Sequence, residues 1–303
     1  MKKLLTILAV VVVLGVILVG VGNWLSGDHQ EPGQQSPTAD SAKPADPDGC
    51  PSVEFISAPG TWESRADDDP AHPSANDMSF MLNISRPLDE AYEDSDVKVW
   101  TLPYTAQFRN INALTEMSYD DSRTEGIDRL NAELVATHEK CPNTEFILAG
   151  FSQGAVIVGD IVSDIGNGRG VIPADRIKGA ALIADGRREP GVGVVPGTQV
   201  GGVGAEIALH PLNAVVQPVV PGATMRGSRA GGFGVLNDRV MDVCAPDDPV
   251  CDAPRDVRNA LERARAMIEV NGVHAWYAQN EYVVPGTTAD QWAVQWAKDL
   301  IGH

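Results

Sequence analysis

The pentapeptide Gly-Phe-Ser-Gln-Gly at positions 150–154 has the pattern in which a serine becomes a nucleophile. An apolar run of strand type precedes it at 144–149, and the apolar start of a helix follows it at 155–158. The flanking glycines permit a sharp turn, so that the Ser152 hydroxyl projects above the strand end and the following N–H groups lie at a helix N-terminus. The pattern predicts a nucleophile elbow. The alternative is a turn serine that bonds only to its neighbours.

A nucleophilic serine needs a histidine that takes its proton and an acid that orients this histidine. After a nucleophile elbow the acid comes next along the chain and the histidine last. Three histidines follow Ser152, namely His210, His274 and His303. His303 is terminal and could fray, and His210 lies on a Gly/Pro-rich segment that we expect to be mobile. His274 occupies a turn after a predicted helix, and we therefore predict it as the base.

The candidate acids are two adjacent aspartates, Asp247 and Asp248, which lie between Cys244 and Cys251. A disulfide between these cysteines would hold a catalytic carboxylate rigidly. Two solvated turn aspartates would look the same in composition. The residues alone leave both aspartates open as the acid.

The four cysteines, at positions 50, 141, 244 and 251, are even in number, and none lies in the apolar N-terminal run. Outside the cytoplasm such thiols usually pair, and no two of them have the close spacing of a zinc site. We therefore predict disulfides and no metal. Four cysteines allow three connectivities, although the short interval from Cys244 to Cys251 could close one tight loop.

The N-terminus separates into an apolar run and a polar one. Lys2 and Lys3 precede an apolar run at 4–25, which as a helix would span roughly 33 Å, close to the thickness of a bilayer core. Trp24 suits a membrane interface, so we expect residues 1–25 to be an uncleaved signal anchor with the rest of the chain outside the cytoplasm. A cleaved signal peptide and a secreted protein are the alternative. Residues 26–49 are rich in Pro, Asp, Gln and Ser and are expected to be a flexible tether.

The charge balance excludes one class of partner. The 303 residues contain 41 Asp and Glu against 23 Lys and Arg, a formal net charge of −18. A phosphate backbone is bound by clustered cations, so a nucleic-acid partner is not expected.

Strand-type and helix-type runs alternate from residue 50 onward, which predicts a doubly wound parallel sheet. The predicted strands cover residues 53–58, 97–102, 144–149, 179–183 and 240–243, and the clearest helices cover 122–140, 253–270 and 289–301. A Gly-rich stretch at 191–204, followed by Pro-rich apolar sequence to 221, predicts a long mobile excursion. It could be a lid or an acyl-chain surface, or a surface insertion without a catalytic part.

Several motifs point to one family. They are Cys-Pro-Asn-Thr at 141–144 before the elbow, Pro-Gly-Thr at 59–61, Gly-Gly-Phe-Gly at 231–234, Cys-Ala-Pro-Asp-Asp-Pro-Val-Cys at 244–251, and His274 with Tyr277. With these motifs, the chain from residue 50 to the C-terminus resembles the cutinase family of serine esterases, and more closely its actinobacterial cutinase-like branch.

The resemblance implies a fold and a set of roles. The fold is α/β, an α/β-hydrolase over residues 50–303 with a central, mostly parallel sheet flanked by helices, here preceded by an N-terminal transmembrane helix. The implied catalytic triad is Ser152, His274 and Asp248, which selects Asp248 over Asp247. The implied oxyanion hole is formed by the backbone N–H of Gln153 and by Thr61, through its N–H and its hydroxyl. The implied disulfides are Cys50–Cys141 and Cys244–Cys251.

The membrane run, the tether and the excursion are not features of small secreted fungal cutinases. They make the chain more similar to the cell-envelope lipases of mycolate-containing actinobacteria. This similarity implies a lipase, phospholipase A or acyl-thioesterase that acts on acyl lipids, without a cofactor and with a monomeric catalytic domain. A cutin, polyester or acetyl-carbohydrate esterase is one alternative. A catalytically silent envelope-binding protein is an alternative from another class.

Overall fold

The computed structural model describes residues 45–256 and 272–302. Strands and helices alternate along these ranges. The strands are β1 (Val53–Ala58), β2 (Val97–Thr101), β3 (Glu145–Phe151), β4 (Ile177–Ile183) and β5 (Val240–Val243). The α-helices are α1 (Leu82–Asp89), α2 (Tyr119–Lys140), α3 (Gln153–Gly166), α4 (Ala205–Leu209), α5 (Asn213–Val216), α6 (Gly272–Ala275) and α7 (Ala289–Ile301). Short 3-10 turns cover Ala174–Arg176, His210–Leu212 and Gly234–Arg239.

The strands form one parallel sheet in the order β2-β1-β3-β4-β5. The chain first moves outward from β1 to β2 and then returns to place β3 on the other side of β1. In such a sheet the carboxyl ends of all strands lie at one edge, and ligands bind where the winding direction reverses. The prediction of a doubly wound parallel sheet is confirmed.

The sheet is buried on both faces, because successive side chains of a strand point to opposite sides. On one face, Phe55 of β1 packs in a cluster with α1 and α7. On the other face, Ile56 packs in a cluster with α2 and α3. This double burial explains why the central strands β3 and β4 are almost continuously apolar.

The element boundaries agree closely with the sequence prediction. β1, β5 and α7 have the predicted limits, and the other strands differ by one or two residues at their ends. Helix α2 begins three residues before the predicted position, because the Ser118 hydroxyl caps it by accepting the N–H of Asp121 at 3.1 Å. Helix α1 was not among the predicted helices.

Three predicted segments lie wholly or largely outside the described residues. They are the membrane helix at 1–25, the tether up to residue 44, and the helix at 253–270 from residue 257 onward. Residues 253–256 are described and are not helical. Among the described helices, none has the length and apolar character needed to cross a bilayer.

Both implied disulfides are confirmed. Cys50 pairs with Cys141 across 91 residues of chain, which joins the start of β1 to the end of α2. Cys244 pairs with Cys251 and closes the short loop that follows β5. A long closed loop limits the unfolded chain most, so the first bond is expected to contribute more to stability.

The Gly-rich segment at 191–204 does not project freely, which corrects the expectation of a loose excursion. Val194 exchanges backbone hydrogen bonds with Val240 and Asp242 of β5, at 2.8 and 2.7 Å. Val203 and Ala253 bond to each other in both directions at 2.8 Å. Glycine meets a packing need here, since a Cβ on Gly197 would lie 2.2 Å from the carbonyl oxygen of Val283. The segment is therefore bonded to the sheet edge at Val194 and to other parts of the chain at Thr198 and Val203.

Candidate active site

Ser152 occupies the turn between β3 and α3, with φ 55° and ψ −117°. This conformation is strained for a residue that has a Cβ. The chain packs closely here, since a Cβ on Gly154 would lie 2.0 Å from the carbonyl oxygen of Ala58. A Cβ on Gly150 would lie 2.4 Å from the carbonyl oxygen of Gly154. The two glycines let α3 start directly against the end of β1, as the elbow pattern predicts.

The structure brings Ser152, His274 and Asp248 into one hydrogen-bonded chain. Ser152 Oγ lies 3.0 Å from Nε2 of His274, and Nδ1 of His274 lies 2.9 Å from Oδ2 of Asp248. The three residues come from the ends of β3 and β5 and from α6. The order serine, base, acid gives the base a partner at each ring nitrogen, as proton transfer from a serine requires.

Asp248 is fully buried, whereas Asp247 is exposed. The Asp248 carboxylate accepts two further hydrogen bonds, from the backbone N–H of Val250 at 2.9 Å and from the hydroxyl of Tyr277 at 2.8 Å. The Cys244–Cys251 disulfide closes the loop that carries it. Of the two aspartates that the sequence leaves open, only Asp248 contacts His274.

Aromatic side chains fix the orientation of His274. The ring of Phe151 stacks on the imidazole with centroids 5.1 Å apart and planes inclined by 21°. The ring of Tyr277 lies edge-on, with centroids 6.3 Å apart. Burial, together with the charge of Asp248, raises the pKa of Tyr277 well above its usual value. The phenol therefore keeps its proton and donates a hydrogen bond to Asp248.

The turn at 59–61 lies beside the nucleophile, since a Cβ on Gly60 would be 3.4 Å from Cβ of Ser152. Within the described ranges, the backbone N–H groups of Thr61 and Gln153 donate to no other protein group. The N–H of Gln153 is also the first of α3 and has no acceptor within the helix. The Thr61 hydroxyl, which the resemblance offered as an extra donor, instead donates to Oε1 of Gln153 at 3.0 Å.

A cleft of about 350 Å³ opens above these residues. Its lining is mainly apolar and aromatic and includes Phe80, Phe108, Phe151, Val156 and Met225. Two of the lining side chains, Trp62 and Met78, are apolar and exposed, and Trp276, which follows the lining residue Ala275, is exposed as well. Such a lining suits an apolar ligand group next to the serine hydroxyl.

One wall of the cleft comes from the segment that contains α4 and α5. Its buried Glu206 accepts the hydroxyl of Tyr119 at 2.7 Å and pairs with Arg226, Nε to Oε2, at 2.9 Å. Arg226 also pairs with Asp160 of α3, which binds two more guanidinium groups. Burial opposes the charge of Asp160, but Arg229, Arg226 and Arg187 lower its pKa to about 2. These ion pairs attach the wall to the helix that follows the nucleophile.

The other candidate base within the described residues, His210, is not part of this site. His210 is exposed at the end of α4, and none of its described contacts involves Ser152. Over residues 45–256 and 272–302, no group of three or more His, Cys, Asp or Glu side chains is arranged to hold a metal ion.

Sequence reasoning missed two acidic residues of the cleft, Glu63 and Glu206. Glu63 lies two residues after Thr61, and only its closeness to that residue could have indicated it. Glu206 lies in a segment that was expected to be loose, so no signal pointed to a buried carboxylate there. The role of Tyr277 was also missed, although its position three residues after His274 was noted.

A doubly wound sheet with a serine elbow, a buried aspartate and a histidine at its carboxyl edge defines a serine hydrolase of the α/β-hydrolase type. The family model described as Cutinase matches residues 49–280. The chain therefore belongs to the cutinase family and is a serine ester hydrolase.

Individual proteins agree with this assignment. The chain is 60% identical, over 308 aligned residues and 100% of both chains, to a protein named Carboxylesterase Culp6 homolog from Corynebacterium glutamicum. An acetyl xylan esterase in an iodinated complex aligns with a TM-score of 0.52 and 16% identity, over 84% of this chain and 100% of its own. A second acetylxylan esterase structure gives a TM-score of 0.50 and 17% identity over the same shares. These two structures share the fold.

Proposed function

We propose that the protein is a lipid esterase of the cell envelope, which removes acyl chains from phospholipids, other acyl lipids or thioesters through a covalent acyl-enzyme. The observation that carries the chemistry is the hydrogen-bonded chain of Asp248, His274 and Ser152 at the floor of an apolar cleft. A nucleophile, a base and an orienting acid in this arrangement support acyl transfer.

The proposed reaction has two halves. His274 takes the Ser152 proton at Nε2 while Oγ attacks the carbonyl carbon of the ester, and the N–H groups of Thr61 and Gln153 stabilise the resulting oxyanion. The imidazolium then protonates the leaving alcohol or thiol, and the acyl-enzyme remains. Water, deprotonated by His274, attacks this acyl-enzyme, and the proton returns to Ser152 as the acid leaves. Asp248 holds the imidazole and stabilises its charged form throughout.

The cleft supports an acyl chain as the group bound next to Ser152. Phe108 and Met225 lie among its lining residues, and the exposed Trp62 and Met78 add further apolar surface to the lining. At about 350 Å³ the cleft is near the lower end of ligand pockets, about 300–1,000 Å³. It therefore suits a short or medium acyl chain, or the first part of a longer chain whose end stays at the mouth.

The substrate class is tested with a series of esters that differ only in acyl length. We expect kcat/KM for p-nitrophenyl esters to rise at least about tenfold from acetate to hexanoate, because each buried methylene contributes about 0.8 kcal/mol. Fluorogenic phospholipids in vesicles and an acyl thioester are expected to be hydrolysed as well. A preference for acetate together with release of acetate from acetylated xylan would favour the carbohydrate esterase, and hydrolysis of cutin or polyester film alone would favour a polymer esterase.

We also propose that residues 1–25 anchor the protein in the membrane, with the catalytic domain outside the cytoplasm. The two lysines before the apolar run at 4–25 and the aromatic Trp24 at its end support this orientation. In a bacterial host that exports the full chain, the protein is expected to stay with membranes after an alkaline carbonate wash. Mass spectrometry should find residues 1–25 attached. A soluble protein that begins after residue 25 would instead indicate a cleaved signal peptide.

A further inference from the structure

Glu63 forms part of the cleft wall, and its carboxylate has no part in the proposed reaction. It accepts hydrogen bonds from three donors. Oε2 accepts the backbone N–H of Gly60 at 2.9 Å and the hydroxyl of Ser79 at 3.1 Å, and Oε1 accepts the backbone N–H of Phe80 at 2.9 Å. The carboxylate thus connects the turn beside the nucleophile to the chain that leads into α1.

The turn that Glu63 holds is the one that carries Thr61. The backbone N–H of Glu63 donates to the carbonyl of Gly60 at 3.1 Å, so Glu63 bonds to both polar backbone groups of Gly60. Trp62, inside the turn, has a φ of 64°, which is unfavourable for a residue with a side chain. A turn with this strain keeps its shape only when its surroundings impose it.

The three donors require a carboxylate. A charged acceptor forms shorter and stronger hydrogen bonds than a neutral one, and its two oxygens carry acceptor sites alone. Burial raises the pKa of Glu63 above its usual value, although the N–H groups of Phe80 and Gly60 and the positive charge that His274 can carry offset part of this rise. A glutamine would fill the same space, but it would turn one of the two oxygens into an NH₂ that faces a donor.

We propose that Glu63 is a positioning residue for the oxyanion hole, whose carboxylate holds the Gly60–Thr61 turn so that the Thr61 N–H faces the carbonyl oxygen of the bound ester. This inference rests on the proposed function, because it assumes that Ser152 is the nucleophile and that Thr61 is an oxyanion donor. An oxyanion donor acts on the transition state and little on the bound ester.

The test compares Glu63→Gln with the parent enzyme. We expect kcat for a p-nitrophenyl acyl ester to fall about 10- to 100-fold with KM within about threefold, since a displaced donor costs less than the about 100- to 1,000-fold of a removed one. The inhibition constant of an alkyl trifluoromethyl ketone, which forms a tetrahedral oxyanion on the serine, should rise by the same factor as kcat falls.

The matched control is Glu145→Gln, which removes a carboxylate at the opposite end of β3, where Glu145 pairs with Lys178 at 3.0 Å. It should leave kcat, KM and the ketone inhibition constant unchanged. A Glu63→Gln enzyme with parental kcat and ketone affinity would overturn the inference, even if it melted at a lower temperature. A rise in KM alone would also overturn it, because it would indicate a role in binding the ground state.

The parent enzyme separates this inference from the proposed function. If the parent neither turns over acyl esters nor binds the ketone at Ser152, the proposed function fails before Glu63 is tested. If Glu63→Gln does not fold, Glu63→Asp replaces it, since this variant keeps the charge but shortens the reach to Gly60. The same loss in kcat and ketone affinity, at parental KM, is then expected, and parental values would overturn the inference.

Discussion

Replacement of Ser152 by Ala is expected to lower kcat/KM for acyl esters by about 10⁵- to 10⁶-fold, the loss seen when the nucleophile of a serine triad is removed. Alanine has no Oγ, so no covalent bond to the acyl carbon can form and His274 has no proton to take. The backbone of Ser152 already adopts φ 55°, and alanine occupies that conformation with a similar Cβ, so the free energy of unfolding should change little. Steady-state kinetics and thermal melts of the purified variant measure the two effects.

Labelling by a fluorophosphonate gives an independent readout of the same prediction. The parent enzyme should be labelled at Ser152, and the alanine variant should not be labelled. The matched control is Ser163→Ala, which removes a buried hydroxyl on the same helix α3 that donates to the carbonyl of Gly232 at 2.6 Å. This control should keep both activity and label. A folded Ser152→Ala protein that hydrolysed esters at the parental rate would show that the proposed mechanism is wrong.

The sequence predicts the sheet and the position of Ser152 well, because these features depend on local rules, whereas His274 follows from chain order and the exclusion of two other histidines. The elbow requires an apolar strand, two glycines that permit close packing and a helix start, all within about twenty residues of chain. The limits of β1 and β5 follow from short, mostly apolar runs, in which the polar residues are Glu54, Ser57 and Asp242. Such signals are short-range, so they can be read without knowing the rest of the fold.

Features that depend on long-range packing could not be predicted in the same way. The residues alone did not choose between Asp247 and Asp248, and only the fold shows that Asp248 is buried against His274. The glycine content of the segment at 191–204 suggested a loose excursion. The sequence could not show its attachment, because its backbone bonds go to distant residues on β5 and at positions 253 and 283. The carboxylate of Glu63 accepts a hydrogen bond from Phe80, seventeen residues away, and no local sequence pattern predicts such a contact.

Substitution of Asp248 by Asn is expected to lower kcat about 10⁴-fold, with correct folding retained. Asparagine has nearly the shape of aspartate, but it has only one acceptor oxygen for three donors: Nδ1 of His274, the hydroxyl of Tyr277 and the N–H of Val250. The neutral amide also does not stabilise the imidazolium that forms when Ser152 loses its proton. If its NH₂ faces Nδ1, it favours the tautomer in which Nε2 carries a proton and cannot accept one.

The adjacent aspartate, Asp247, provides the matched control for this prediction. Asp247→Asn removes the same charge one residue away, but Asp247 is exposed, so its kcat and KM should equal those of the parent. An equal loss in both variants would mean that the charge of the loop matters and not the bond to His274. A loss in Asp247→Asn alone would show that our mechanism names the wrong aspartate as the acid. A difference of about 10⁴ between two neighbouring isosteric substitutions, with folding retained in both, is the result expected when the carboxylate of Asp248 acts directly on the imidazole.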